Sequence, residues 1–488
     1  MYIGLDIGTS GVKAVLVDDS QAILAEAQDG LTVQRPHALW SEQDPAEWWR
    51  AARGALAQLR AARPAEYAAV KAMGLSGQMH GATLLDAHGE VLRPAILWND
   101  GRSGEECAEL MASQPDTPAI TGNAAMPGFT APKLLWVAKH EPEIFARTAL
   151  VLLPKDYVRL KLTGEAISDM SDSAGTLWLD VARRDWSDSM LAACGLSRAH
   201  MPALVEGSEA GGRLTDAMAA ELGFDGPVLM AGGAGDNAAG AAGIGAVVPG
   251  QAFLSLGTSG VYFLSNAEYS PNPEGGVHSF CHCIPDTWHQ MSVILSAASC
   301  LSWLAKATGA ENEAALLAEA EQGRGSAAVF LPYLSGERTP HNDPMASGVF
   351  FGLTHETDRA ALTHAVLEGV AFALADGQAA LLAAGGEIKS VSVIGGGARS
   401  KFWGRILASA LGRSLNYHPD GEVGPAFGAA RLARLALTRE APADICTPPP
   451  VDQTIAPDNN LQGELAARYG RYRRLYGLLR DEFRNGAV

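Results

Sequence analysis

The chain has 488 residues, 47% of them hydrophobic and 54 of them glycine, with a formal net charge of −17. That length exceeds what one compact core accommodates and predicts two domains. The charge disfavours nucleic acid and acidic membrane surfaces as partners of the whole protein, while leaving room for a local anion site. Strand pattern begins at Tyr2 with no basic segment leading into an apolar one, and no apolar run reads as long enough to cross a bilayer. The six cysteines include no CxxC pair and are too few for a disulfide framework, so a reduced, cytoplasmic protein is expected.

Residues 5–11 spell LDIGTSG between the apolar runs YIGLDI and VKAVLV. Nearly the same seven, LSLGTSG, return at 254–260 between QAFLSL and VYFLS, about half the chain later. Each reads as two strands around a Gly-Thr-Ser-Gly turn. Recurrence in the same context at the start of each half predicts duplicated domains. A turn of small residues brings backbone N–H groups and hydroxyls close to an anion. One copy is weak evidence and reads as a plain hairpin turn. Two copies facing across a cleft would hold a nucleotide's phosphates from both sides. Asp6 precedes only the first turn, where a carboxylate could hold Mg²⁺ directly or through water; Ser255, its counterpart, could not. GTSGVK lacks the Walker A spacing, and Gly243-Ile244-Gly245 lacks the third glycine of a dinucleotide fingerprint, with Val248 in its place. Lys13 reads as an outward-facing strand residue.

Residues 74–81, GLSGQMHG, follow a short apolar run. Gln78 and His80 would suit a polyhydroxylated ligand, with Met79 as an apolar wall; a strand and loop with one buried histidine reads equally well. Asp100 and Arg102 read as a structural ion pair. An apolar run at 227–230 leads into AGGAGDNAAG, residues 231–240. A lone aspartate there would ordinarily cap a helix. The glycines before Asp236 leave it unshielded, as a base accepting a hydroxyl proton during phosphoryl transfer would need to be. Residues 243–251 read as the connection between halves. His278, Cys281, His282 and Cys283 match no structural zinc spacing and read as a strand beside a cleft. A helix is expected over 361–384 and a strand over 391–394. A glycine turn at 395–397 then opens a helix through Phe402, Ile406 and Leu407. Beyond Pro442 a Pro-rich stretch ends in a charged helix near 468–483, to which no chemistry is assigned.

Taken together, LDIGTSGVKAVLV, SGQMHGATLLD, AILWNDGR, GFTAPKLLWVAKH, LLPKDYVRLKLTGE, AGGAGDNAAGA, LSLGTSGVYF, YLSGERTPHNDP and VIGGGARSKFW resemble the FGGY carbohydrate kinases from residue 2 to about 434. Residues 128–140 fit the family's first signature. Residues 348–368 fit the second except at Ala361, where a polar or acidic residue is usual. The resemblance implies an α/β fold of two actin-like (ribonuclease H-like) domains of the sugar kinase/heat-shock chaperone/actin superfamily. Each is built on a βββαβα unit, with a cleft between. It assigns sugar and catalytic base to residues 1–245 and nucleotide to 246–488. It implies phosphorylation of D-xylulose at its 5-hydroxyl by ATP with Mg²⁺, in xylose catabolism in the cytoplasm, and a homodimer.

Residue by residue, Asp236 is similar to the family's catalytic base and lies against the sugar, and Asp6 matches its metal-associated aspartate. Met79 and His80 match the sugar-contacting pair, with Gln78 beside them. Gly8, Thr9 and Ser10, and Gly257, Thr258 and Ser259, resemble the phosphate loops. Gly396 and Gly397 resemble the adenosine-side turn. Glycerol kinases carry Arg-Glu where this chain has Met79-His80, which disfavours glycerol. Rival readings are a sister enzyme acting on another ketose such as ribulose, a chaperone-like ATPase switch with no sugar pocket, and a silent sugar-binding regulator. The presence of both Asp6 and Asp236 counts against the last.

Overall fold

The first hairpin pairs Tyr2–Ile7 with Gly11–Val17, placing Tyr2 opposite Val17 and Ile7 opposite Val12. A computed structural model describes residues 1–323, 325, 327–419 and 424–485. Every position of Tyr2–Ile7 is buried except Asp6, which is half-buried. A strand buried on both faces needs a near-continuous apolar run, which is what YIGLDI supplies around its one carboxylate. From this strand the sheet grows in two directions. Gly11–Val17 and then Ile23–Gly30 add antiparallel on one side. Ala72–Gly77 and then Leu229–Ala231 add parallel on the other, followed by an antiparallel Ala210–Arg213.

The second half repeats this order. Gln251–Leu256 takes the central place, with Gly260–Asn266 and Trp288–Ile294 antiparallel on one side. Ser390–Ile394 and Leu415–Tyr417 are parallel on the other, ending in antiparallel Gln453–Ile455. The duplication expected from two seven-residue turns therefore extends to strand order and direction. Ser255 occupies the place of Asp6, half-buried in an otherwise buried strand interior. The second sheet carries one extra edge strand, His278–Cys281.

After the fifth strand of each unit comes a helix, Asp236–Ile244 in the first and Pro425–Thr438 in the second. They cross in contact. A Cβ on Gly428 would lie 1.8 Å from the Ala239 carbonyl oxygen. Pro425–Thr438 also lies flat on the first sheet, where a Cβ on Gly4 or Gly74 would come within 1.8 Å of Ala426 O or 2.0 Å of Ala429 O. Arg431 reaches from this helix to the carbonyls of Ala242 (2.9 Å) and Gly243 (3.0 Å), at the C-terminal end of Asp236–Ile244. A cation there complements the helix dipole and satisfies orphan acceptors.

The helix expected over 361–384 is observed as Arg359–Ala383, capped by Asp358, which accepts from the Ala361 amide at 2.8 Å. Ala361 is thus the third helical position, where an acidic side chain would complete a capping box; here the Asp358 bond stands without it. By length and composition this helix could cross a membrane, contrary to the reading of the sequence. Within the fold, 83% of its apolar window is buried, as the central helix of the second core. The terminal helix is longer than expected, Asn459–Asn485, and is tied down by Arg468 on Glu368 (2.7 and 2.9 Å) and by Tyr469 on Asp376 (2.6 Å).

Gly428→Ala is expected to lower unfolding stability by about 3 kcal/mol, read as a reduced urea midpoint, because its methyl collides with backbone rather than with a movable side chain. An unchanged midpoint would contradict the helix crossing.

Candidate active site

Asp6 lies one residue before the end of its strand, in register with Lys13 on one neighbour and Ser76 on the other. Ser76 Oγ donates to Asp6 Oδ1 at 2.9 Å. The short strand Ala234–Gly235 pairs with Ser76 and Gly77, and the next residue is Asp236. The two aspartates therefore hang from the ends of the two strands that flank Ala72–Gly77. Asp236 is the first residue of its helix rather than its cap, which is Gly235. Its Oδ1 accepts from the backbone N (2.7 Å) and Nδ2 (2.9 Å) of Asn237.

Burial, and then the Asp6 charge, push the Asp236 carboxyl up to about 7 against the pull of Asn237. Burial pushes Asp6 up to about 6 against Ser76 and Lys13. Among the described residues each carboxylate keeps Oδ2 without a hydrogen-bond partner. Two adjacent carboxylates, each with an open oxygen and each raised in pKa, fit a hard dication completed by phosphate oxygens.

The segment after Ala72–Gly77 carries Gln78, Met79 and His80. Met79 packs so closely that a Cβ on Gly235 would lie 2.9 Å from its Cγ. His80 adopts a left-handed backbone, φ 69°. Its Nδ1 lies 2.6 Å from the Gly175 carbonyl. The proton is therefore on Nδ1, and Nε2 is an acceptor. Burial, with help from Lys133, pushes His80 down to about 3, so the ring stays neutral. Phe129 meets it edge-on at 4.8 Å. Lys133 is fully buried and donates to the carbonyls of His80 and Gly128, both at 2.8 Å.

Gln78 faces the other way. Thr9 Oγ1 donates to its Oε1 at 2.9 Å, and its Nε2 donates to Gln43 Oε1 at 2.9 Å. Gln43 in turn donates to Thr9 O (2.7 Å) and accepts from Trp48 Nε1 (2.9 Å). Trp98 Nε1 donates to Thr9 Oγ1 at 3.0 Å. The Gln78 amide is thus engaged in bracing the first turn, in which Gly8 N bonds to Gly11 O at 3.0 Å and Ser10 is exposed.

The second turn is braced by Ala298 N on Gly257 O and Ala297 N on Thr258 O, both 2.9 Å, and by Ser299 Oγ on Thr258 O at 2.7 Å. Thr258 and Ser259 are exposed. Gly395, at φ 87°, and Gly397 press on Leu256 at the end of the same strand, too close for any Cβ. Beside them opens a cavity of about 650 Å³ lined by Leu301, Leu317, Gly396, Gly397, Ser400 and Phe402 among others. The site residues thus form two groups, one at each central strand's end. Among the described residues no hydrogen bond joins the two turns directly.

The His/Cys segment is a strand, as expected, and its side chains are engaged within the protein. His282 Nε2 lies 3.2 Å from Ala246 O, and the thiols of Cys281 and Cys283 donate to Val181 O and Ala238 O at 3.5 and 3.3 Å. Asp100 and Arg102 pair at 2.7 Å, with Glu42 as a further partner of Arg102. Lys13 is half-buried and lies opposite Asp6. Sequence reasoning missed Asn237, Lys133, Gln43 and Trp98. Only Asn237, adjacent to the aspartate, carried a local signal.

Residues 1–243 match the N-terminal domain of the FGGY family of carbohydrate kinases, and residues 252–437 match its C-terminal domain. The chain belongs to the FGGY family of carbohydrate kinases. Within it, the chain is 56% identical over 479 residues to the xylulose kinase of Escherichia coli K12, covering 98% of each chain. To that of Klebsiella pneumoniae it is 53% identical over 483 residues, covering 98% of this chain and 99% of the relative. The crystal structure of a xylulose kinase from Rhodospirillum rubrum superposes with a TM-score of 0.92 at 32% identity, covering 99% of both chains.

A carboxyl whose pKa is raised by folding binds protons that the unfolded chain, titrating near about 3.9, has already lost. Between about pH 4 and pH 7 the folded kinase therefore holds more protons at Asp6 and Asp236, and this pair's contribution to stability falls as pH rises. The melting temperature of the metal-free protein is expected to drop between about pH 4 and pH 7, with Asp236→Asn flattening the drop. Identical slopes in variant and parent would remove the basis for the raised pair.

Proposed function

We propose that this carbohydrate kinase transfers the γ-phosphoryl group of ATP to the 5-hydroxyl of D-xylulose, forming D-xylulose 5-phosphate in the breakdown of xylose. The observation that carries the reading is the convergence of Asp6, Asp236, Met79 and His80 at the ends of three adjoining strands, in a chain 56% identical to a xylulose kinase. Residues 1–245 hold the sugar and the base, and residues 246–488 the nucleotide. All six cysteines are free and buried, which accords with a reducing, cytoplasmic setting.

Asp236 is the general base. Asn237 holds Oδ1, leaving Oδ2 to take the 5-hydroxyl proton as the new P–O bond forms. His80 accepts a sugar hydroxyl at Nε2, its proton fixed on Nδ1 by Gly175, and Met79 forms the apolar side of the sugar pocket. Gly8, Thr9 and Ser10 on one side, and Gly257, Thr258 and Ser259 on the other, offer backbone N–H groups and hydroxyls to the phosphates. Gly396 and Gly397 admit the adenosine into the 650 Å³ cavity. Asp6, with Asp236 beside it, would hold the Mg²⁺ that accompanies ATP. When bound, that ion neutralises charge on the phosphates.

Coupled ADP release with Mg·ATP is expected to favour D-xylulose over D-ribulose, L-ribulose, L-xylulose and glycerol. A preference for another sugar would overturn the pocket assignment, and no stimulation by any sugar would overturn the kinase reading. Asp236→Ala is expected to cut turnover by about 10²–10⁴-fold with ATP affinity nearly intact; wild-type-like turnover would refute its role as base. Because the Gln78 amide braces the first turn, Gln78→Leu is expected to raise KM for Mg·ATP more than KM for D-xylulose. The reverse order would make it a sugar contact.

A further inference from the structure

Arg338, in the segment SGERTP, is half-buried in the second half of the chain and has no carboxylate within ion-pair distance among the described residues. Its one side-chain hydrogen bond runs from Nη1 to Nε2 of His278, at 3.2 Å. His278 is held neutral by burial and by this guanidinium, and its Nδ1 donates to Asn123 Oδ1 at 3.0 Å. The nearest carboxyl in sequence, Glu337, is directed elsewhere. Its Oε1 accepts from the amides of Leu295 (3.0 Å) and of Arg338 itself (2.8 Å), and burial pushes it up to about 8, so it supplies little negative charge at neutral pH. A cation taken partly out of water with no anion beside it costs stability. Packing does not account for that cost.

The surroundings of Arg338 suggest what it faces. Its neighbour Thr339 bonds across to the strand Trp288–Ile294, through Thr339 N to Val293 O (3.1 Å) and Val293 N to Thr339 Oγ1 (3.0 Å). The end of that strand pairs with Gly260, the last residue of the second phosphate turn. The backbone at Arg338 therefore runs beside Trp288–Ile294, with that strand between it and Gly260–Asn266, two strand spacings or roughly 10 Å from the turn's own strand. On the opposite side, His278 meets Phe129 at 5.6 Å, and Phe129 meets His80 at 4.8 Å. The guanidinium is close enough to contribute to the lowered basicity of His80. It thus lies between the second turn and the aromatic wall of the sugar pocket, and comes from the half of the chain opposite Asp236.

We propose that Arg338 touches the phosphoryl group on the sugar side of the cleft, both in transfer and in the sugar phosphate formed. This rests on the phosphotransfer reading above. In the step, the sugar 5-oxygen bonds to the γ-phosphorus and the bond from that phosphorus to the bridging oxygen breaks, its electron pair leaving with ADP. The hydroxyl proton goes to Asp236. The phosphoryl oxygens keep their negative charge throughout and end on the sugar, where a guanidinium aimed from the second half meets them with paired N–H donors. D-Xylulose itself carries no charge, so Arg338 distinguishes product and transition state from substrate.

Arg338→Gln and Arg338→Lys, with the full-length protein, test this. Calorimetric titration with D-xylulose 5-phosphate should show at least tenfold weaker binding for Arg338→Gln. KM for D-xylulose should move less than about threefold while kcat falls about 10²-fold. Arg338→Lys should recover part of both losses by restoring charge. The ligand-free melting temperature of Arg338→Gln should be unchanged or higher, because an uncompensated cation has been removed. Equal weakening toward sugar and sugar phosphate would make Arg338 a sugar contact and overturn the proposal. So would a lower melting temperature or failure to fold with ligand affinities intact, which would make it structural. If the substrate reading were wrong instead, the wild type itself would neither turn over D-xylulose nor bind its 5-phosphate.

Discussion

Two carboxylates that converge from the strands on either side of Ala72–Gly77 are the constraint around which this molecule is arranged. Burial raises the cost of charging both Asp6 and Asp236, and the Asp6 charge adds to that cost at Asp236. Nothing in the protein relieves that cost completely: Ser76, Lys13 and Asn237 each offset only part of it. An active site in this condition is preorganised for positive charge and for proton uptake. The same geometry that destabilises the ligand-free protein is complementary to the charges that arrive with the nucleotide.

The duplication explains why only one carboxylate of the pair comes from a repeated motif. Both units present a half-buried residue before their Gly-Thr-Ser-Gly turn, Asp6 in one and Ser255 in the other. Had the second unit kept an aspartate, a third carboxylate would have faced the phosphates with no further cation to balance it. With serine there, the second turn carries no charged side chain. The two units thus share a fold but differ in charge at the position before the turn.

Much of this was legible from residues alone, for local reasons. The two turns, the apolar runs around them, the long helix and the strand before Gly395 are properties of contiguous segments, and periodicity reports them within a few residues. Asp236 was legible because its neighbours are too small to hide it. What could not be read were relations between segments far apart in sequence. Gln78 looked like a sugar contact because its neighbours Met79 and His80 are suited to one. Its amide is instead claimed by Thr9 and Gln43, which lie 69 and 35 residues away. Arg359–Ala383 passes as a span by length and composition, where the sequence reading found no apolar run long enough; that 83% of its apolar window is buried within the fold is a relation between distant segments, which the sequence does not display.

The position of Asp236 is set by a layer beneath it that carries no chemistry of its own. Arg159, fully buried, donates to Gly211 O at 2.7 Å and to Gly232 O at 2.5 Å, pinning the glycine run from which Asp236 emerges. The amide of Gly235 donates to Ser171 Oγ at 3.2 Å, and Ser171 donates to Asp169 at 2.5 Å. Asp169, Asp156 and Asp172 surround the fully buried Lys155 at 2.8, 2.5 and 3.3 Å. Burial disfavours the Lys155 ammonium, but the three carboxylates outweigh it and raise its basicity. With one ammonium among three acids, burial drives Asp172 well above the usual carboxylate range. Such a network is a poor source of net stability, since each charge must be desolvated. It is, however, intolerant of small displacements, because any shift strands a buried charge. Glycines leave the Asp236 carboxylate unshielded at the strand end, and they also make that end flexible. The bonds between Arg159 and Gly232 and between Ser171 and Gly235 oppose that flexibility, so the glycine run before Asp236 is held from beneath by the buried ionic layer.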